Sequence, residues 1–233
     1  MNVNNCDGVR PHQTRKIRPT RRSVSGIYAF RGETAIPFES TLERDFLLKK
    51  EFSRHVLTVI PQPVQIPFIA SNERAYTYTP DFLVYYRLPL DARYGDYPKP
   101  LLVEVKPRAE IRKHWRDWKS KFRAALHYAK KQGWDYRIHD EVRIRDQMLN
   151  NIRFLERYKR MQFPAEETRW VLDNVRRMGG APFHYILARH FMGSYRGEGI
   201  SHIWYLLATG QLECDITRPL GDDTEFWVPN NEL

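Results

Sequence analysis

"LLVEVKP", residues 101–107, sets a glutamate and a lysine two positions apart inside an apolar run that stops at a proline. Alternation along a strand sends Glu104 and Lys106 to one face and Val103 and Val105 to the other. Opposite charges are expensive to bury, so a pair between apolar positions points to a site, although a same-face ion pair on an edge strand fits the same pattern.

Upstream, "HVLTVI", "PVQIPF" and "AYTYTPDFLVYYRL" are β-branched and aromatic runs broken by Pro61, Pro63, Pro67 and Pro80, and they predict an antiparallel meander. Asp81 follows Pro80 at the head of its run, where turn chemistry is the plain alternative to a functional carboxylate. Further back, "FESTLERDFLLKKEFSRHV" offers Ser40 as an N-cap and Glu43 three residues later, a capping-box spacing. On a helical wheel Glu43 falls between Leu42 and Leu47, beside Phe46, within the apolar arc. It is either a capping glutamate at the edge of the stripe or a carboxylate aimed at something.

Downstream of Pro107, Ile111, Trp115, Trp118, Phe122, Ala125 and Ala129 recur at helical spacing and predict an amphipathic helix. Its other faces carry Arg108, Arg112, Lys113, Arg116, Lys119, Lys121 and Arg123. "WDYRIH" predicts a strand and "DEVRIRDQMLNNIRFLERYKR" one further helix, which completes an α/β layered domain over 26–160. Residues 1–25, basic and without apolar periodicity, predict a flexible basic arm. From 161 to 233 three helical stretches precede "QLECDI", a turn and "TEFWV", and three helices with a β-hairpin suggest a small winged-helix-like domain.

Charge divides the chain in the same place. Residues 1–160 hold 32 Lys/Arg against 18 Asp/Glu, while 161–233 hold 6 against 10. The basic excess of the first part fits a polyanion partner, because each phosphate contact releases condensed counterions. Cys6 and Cys214 form neither a metal spacing nor a disulfide framework, which predicts a reducing, cytoplasmic home. No apolar run approaches the length of a membrane span and no signal-peptide core follows the N-terminus. There is no Gly-rich phosphate loop and no HExxH motif, and Cys214 has no neighbour that would make it a nucleophile.

Phosphodiester hydrolysis needs charge stabilisation, an activated water and help for the leaving oxygen, which a carboxylate-held Mg²⁺ supplies. An aspartate at one strand, Glu104 two before Lys106 on the next, and a helical carboxylate behind them would assemble such a pocket, with Lys106 holding the water and offsetting the carboxylates.

"TPDF" followed by "VEVK", behind the helical glutamate of "TLERDF", resembles the PD-(D/E)xK nuclease superfamily. With "STLERDFL", "TPDFLV", "LVEVKP" and "LNNIRFLERYKR", residues 38–160 resemble the TnsA-type endonuclease subunit of heteromeric transposases. The resemblance implies a restriction-endonuclease-like mixed sheet flanked by helices, with Glu43, Asp81, Glu104 and Lys106 catalytic. It also implies Mg²⁺, replaceable by Mn²⁺, on Asp81, Glu104, Glu43 and the Val105 carbonyl. Arg108, Arg112, Lys113, Arg116, Lys119 and Arg123 are the expected DNA-binding residues.

In that family the endonuclease cuts the 5′ transposon ends, an RNase H-like transposase (TnsB-type) cuts the 3′ ends, and an AAA+ ATPase (TnsC-type) regulates both. The implied partners are double-stranded DNA at transposon ends and these two proteins, the ATPase through residues 161–233, in a bacterial, nucleoid-associated setting. The competing readings are a free-standing restriction or repair nuclease and a catalytically silent DNA-binding adaptor.

Overall fold

The computed structural model describes residues 12–14, 24–88 and 97–229. Its chain divides into two compact units, Met1–Ile144 and Arg145–Leu233. In the first, a hairpin of β1 (Gly26–Phe30) and β2 (Thr34–Phe38) leads into α1 (Thr41–Phe52). There follow β3 (Val56–Pro61), β4 (Ile66–Ile69), β5 (Ala75–Tyr78), β6 (Phe82–Tyr86) and β7 (Leu101–Val105). Then come α2 (Arg108–Lys131), β8 (Asp135–His139) and the short α3 (Glu141–Ile144). Strands β3, β6, β7 and β8 form one sheet in that order, antiparallel except for the parallel pair β7 and β8. A parallel pair needs a crossover, and α2 is that crossover.

The expected meander is interrupted, because β4 and β5 pair with each other while β3 pairs with β6. The cause is local. Gln62, between Pro61 and Pro63, takes a left-handed φ of 45°, and proline offers no N–H to continue a ladder. The chain leaves the sheet there and rejoins it at Asp81, whose carbonyl accepts the Gln62 N–H at 2.8 Å. In the short described stretch of the expected basic arm, Thr14 donates its N–H and its hydroxyl to the Gln62 carbonyl at 3.0 and 2.9 Å. The rest of that arm, up to residue 23, lies outside the described residues.

Strand β7 is buried on both faces, as a central strand should be. Leu101, Val103 and Val105 pack with Phe46 and Leu47 of α1 and with the β1–β2 hairpin. Leu102 faces the other way, onto Ala125 and Ala129 of α2 and Ile66 of the β4–β5 hairpin. Alternation therefore puts Glu104 on the α2 side of the sheet.

The helix expected over 140–160 is broken in two. Asp140 accepts the Arg143 N–H at 3.1 Å and Asp146 accepts the Leu149 N–H at 3.1 Å, so α4 (Gln147–Leu155) starts from its own cap. Helix α4 belongs to the second unit: Asn151 Nδ2 donates to the carbonyls of Ile216 and Arg218 at 2.9 and 2.6 Å, and Phe154 meets Trp204 edge to face. The boundary expected at 160 therefore falls between Ile144 and Arg145. This also dilutes the charge contrast, since residues 145–233 hold 11 Lys/Arg against 12 Asp/Glu.

The second unit continues with α5 (Ala165–Met178), β9 (Ala181–Pro182), α6 (Phe183–His190), α7 (Arg196–Ala208) and β10 (Glu225–Phe226). Gly179 ends α5 at φ 77°, a conformation that side-chain-bearing residues adopt at a penalty. The expected hairpin of "QLECDI" with "TEFWV" is reduced to one antiparallel bridge, Glu213 with Trp227, because β10 pairs with β9 instead. Helix α7 is mostly buried, and its Gly199 packs so closely on Phe191 that a Cβ there would stand 2.2 Å from the ring. His202, fully buried, stacks on Phe163 and shares a 2.8 Å hydrogen bond with Thr168.

Candidate active site

Three elements meet at the end of β7. Ser40 caps α1 by accepting the Glu43 N–H at 3.1 Å, and the Glu43 carboxylate answers by accepting the Ser40 hydroxyl at 3.0 Å and the Glu39 N–H at 2.8 Å. The capping reading of Glu43 is thus correct. The same carboxylate is buried, with Asp81 and Lys106 among the charges acting on it, so it belongs to the cluster as well.

Asp81 heads β6, and its Oδ2 accepts the Val105 N–H at 2.7 Å. Glu104, 1% exposed, points to the α2 face, where the Tyr78 hydroxyl donates to its Oε2 at 2.6 Å. Lys106 Nζ stands 3.6 Å from Asp81 Oδ2 and 3.8 Å from Glu104 Oε1. The four residues expected at the site are therefore one electrostatic group, although the two halves of the motif are separated by more than twenty residues of chain.

Burial, and then the nearby Asp81, push the carboxyls of Glu43 and Glu104 up to about 7. Burial alone would pull Lys106 down, but Asp81, Glu104 and Glu43 outweigh it and hold the ammonium above its ordinary value. Lys106 is consequently a cation at neutral pH, a donor and a counter-charge and not a base. His139, whose carbonyl accepts the Lys106 N–H at 3.1 Å, is pushed down to about 4 by burial and by Lys50, and so is neutral.

Three further residues complete the environment of Glu104. Tyr78 holds it directly and lies 3.4 Å, oxygen to oxygen, from Tyr136; burial raises both phenols, so both stay protonated. Lys121 leaves the basic side of α2 and places Nζ 3.3 Å from Glu104 Oε1, over the rings of Trp118, Tyr78 and Phe122. Its position three after Trp118 and one before Phe122, at the rim of the apolar arc, is the signal that sets it apart from its exposed neighbours. Tyr78 shares the alternation of Tyr76 and carries no comparable mark.

Of the expected DNA-binding residues, Arg112, Arg116, Lys119 and Arg123 form an exposed stripe along α2, with Lys113 beside it. Arg108 is placed differently: its Nε and Nη2 are each 2.7 Å from Asp140 Oδ2, an anchor for the start of the helix.

Among the described residues no three acidic, histidine or cysteine side chains converge as a ready-made metal ligand set. Asp81 Oδ2 is engaged by the Val105 N–H and Glu104 Oε2 by Tyr78, while the Lys106 ammonium supplies positive charge. The donors nonetheless suit a hard cation: they are carboxylate oxygens, and burial beside Asp81 makes two of the carboxyls hold their protons to about neutrality. Asp81, Glu104 and Glu43 are the carboxylates that would hold such a cation.

Among the described residues no helix is long and apolar enough to cross a membrane. No curated protein matches the chain. Residues 53–141 match the family described as TnsA-like endonuclease N terminal, a stretch that contains Asp81, Glu104 and Lys106 and begins after Glu43. Residues 143–216 match the family described as TnsA endonuclease C terminal, so the two matches change over within a few residues of the division between the two units. With both halves present in order and spanning most of its length, the chain belongs to the TnsA endonuclease family.

Proposed function

We propose that this protein is a metal-dependent DNA endonuclease that cuts the 5′ ends of a transposon as one subunit of a heteromeric transposase. The observation that carries the reading is the Lys106 ammonium within 3.8 Å of both Asp81 and Glu104, where burial keeps Glu104 partly protonated at neutral pH. When bound by Asp81, Glu104, Glu43 and the Val105 carbonyl, Mg²⁺, or Mn²⁺ in its place, would stabilise charge on the phosphate and acidify a water. Lys106, cationic and held by two acids, donates to the attacking water's oxygen and offsets charge that builds on the non-bridging oxygens. Tyr78 and Lys121 keep Glu104 from swinging away. The exposed basic stripe of α2 binds the phosphate backbone without reading sequence.

After α4, the second unit has the order helix, short strand, helix, helix, bridge, strand, which supports a winged-helix reading of the part from α5 onward. In a groove-reading winged helix the third helix presents basic residues outward. Here α7 is largely buried, and the segment after it exposes Asp215, Asp222, Asp223 and Glu225. We read this unit as a docking module for the AAA+ regulator, with the RNase H-like transposase as the other partner.

The test is Mg²⁺-dependent nicking of transposon-end DNA by the purified chain, with and without the transposase and regulator. Cleavage confined to the 5′ ends supports the proposal, and no cleavage under any combination defeats it. Truncation after Ile144 should abolish association with the regulator; retained association would defeat the docking role.

A further inference from the structure

On the α2 side of the sheet, next to Glu104, the β4–β5 hairpin and α2 enclose a cleft of about 590 Å³. Phe68, Asn72 and Tyr76 line it from the hairpin, and Asp117, Trp118 and Lys121 from the helix. Phe68 and Tyr76 stack with centroids 6.0 Å apart, yet Tyr76 remains 45% exposed. Trp118 stacks on His114 with centroids 5.0 Å apart and meets Phe122 edge to face, and it still presents part of its indole to the cleft beside Tyr76. Lys121 belongs to two places at once: it lines the cleft and stands 3.3 Å from Glu104 Oε1. The cleft is therefore one side chain, Lys121, away from Glu104.

Resting on the nuclease reading, we propose that this cleft receives one unpaired nucleobase of the DNA, from a nucleotide beside the scissile phosphate. Aromatic walls suit a base because every base has a π-face. The Asp117 carboxylate offers acceptor atoms to a base edge, while Asn72 holds the wall in place, donating to the Tyr76 hydroxyl at 3.1 Å and accepting the Arg74 N–H at 3.2 Å. Asp117 is an exposed acid on a helix whose outward stripe is otherwise basic, a position unsuited to a phosphate but suited to an exocyclic amine. The arginine stripe of the same helix supplies the backbone contacts that would hold the flanking nucleotides in place.

Extruding a base costs stacking and pairing, and that cost falls when the base is already mismatched. The experiment uses the full chain carrying Lys106→Ala, which binds without cutting, and end duplexes with one mismatch stepped through the nucleotides flanking the mapped cut. We expect one position to bind about tenfold tighter than the paired duplex. Trp118→Ala and Tyr76→Ala should each remove that gain while changing affinity for the paired duplex by less than about threefold, and Trp118→Phe and Tyr76→Phe should keep it. Tyr76 is exposed and Trp118 half-buried, so truncating them spares the core. A flat mismatch profile, or a gain that survives both alanine variants, overturns the inference while leaving the nuclease reading intact, as it would if the cleft took a peptide. Failure of the Lys106-intact chain to bind or cut any end DNA overturns both.

Discussion

Asp81 Oδ2 and the backbone N–H of Val105 lie 2.7 Å apart, and this one hydrogen bond joins the two halves of the sequence motif across neighbouring strands. Asp81 therefore has a structural task beside the chemical one proposed for it. Asp81→Asn keeps an acceptor for the Val105 N–H and removes the charge, whereas Asp81→Ala removes both. We expect either variant to lose cleavage by about a thousandfold, the scale of a lost electrostatic contact in a catalytic centre. Only the alanine variant should also lose stability, by about 1–2 kcal/mol, from a half-buried N–H left without a partner. Cleavage assays with urea melts of both proteins check this; equal stability would assign the bond no structural weight.

Lys106→Met should abolish cleavage to the same degree while leaving end-DNA affinity within about threefold, because the residue faces buried acids and not the exposed stripe. Wild-type cleavage rates in this variant would remove Lys106 from the mechanism.

Tyr78→Phe removes the shorter of the two bonds that hold Glu104. Hydrogen bonds to a metal's carboxylate ligands typically shift metal affinity by about tenfold to a hundredfold. We expect the Mg²⁺ concentration for half-maximal cleavage to rise by that factor with little change in the rate at saturating metal. A pure loss of rate at unchanged Mg²⁺ dependence would place Tyr78 elsewhere in the reaction.

Acidity should separate the metal-free and metal-loaded proteins. Glu43 and Glu104 hold protons to about pH 7 in the folded state, whereas an unfolded chain releases them near 4.5, so stability from these groups falls as pH rises from about 4.5 to 7. His139, pushed down to about 4, works in the opposite direction between about 4 and 6.5 and is spent above that. In chelator, the melting temperature should therefore drop between pH 6.5 and 8, and Mg²⁺ should raise it more at pH 8 than at pH 6. Glu43→Gln should flatten the metal-free drop; a drop unchanged by that substitution would assign it to other groups.

Neutralising Arg112, Arg116 and Lys119 together should weaken binding to every duplex alike and lower the slope of log K against log salt by about three, if each side chain neutralises one phosphate. An unchanged slope would mean that another surface meets the DNA.

The convergence of Glu43, Asp81, Glu104 and Lys106 was legible because each carries its own mark: a glutamate and lysine in an apolar strand, an aspartate after a proline, a glutamate inside an apolar arc. Their companions were not, because Tyr78 and Lys121 differ from neighbouring tyrosines and lysines only in what the fold brings opposite them. Strand alternation was visible, but the pairing was not, since nothing local in "PVQIPF" says that a left-handed Gln62 takes it out of the sheet. The domain boundary was misplaced because charge follows exposed side chains. Helix α4 turns Arg153 to solvent while Leu149, Ile152 and Leu155 are buried in the second unit, and packing decides where a unit begins.

Gly199 has a bearing on how genetic screens of such a protein are interpreted. Any side chain there collides with Phe191, so selection for transposition will deplete every substitution at 199 as strongly as at Lys106. The two losses have different origins. A Gly199 variant should fail along with the yield of intact protein and be partly rescued by a smaller residue at 191, as in Phe191→Leu, while a Lys106 variant should accumulate normally and resist every second-site change. Paired libraries at 191 and 199 would separate a steric fit from a loss of docking by the second unit before any partner is purified.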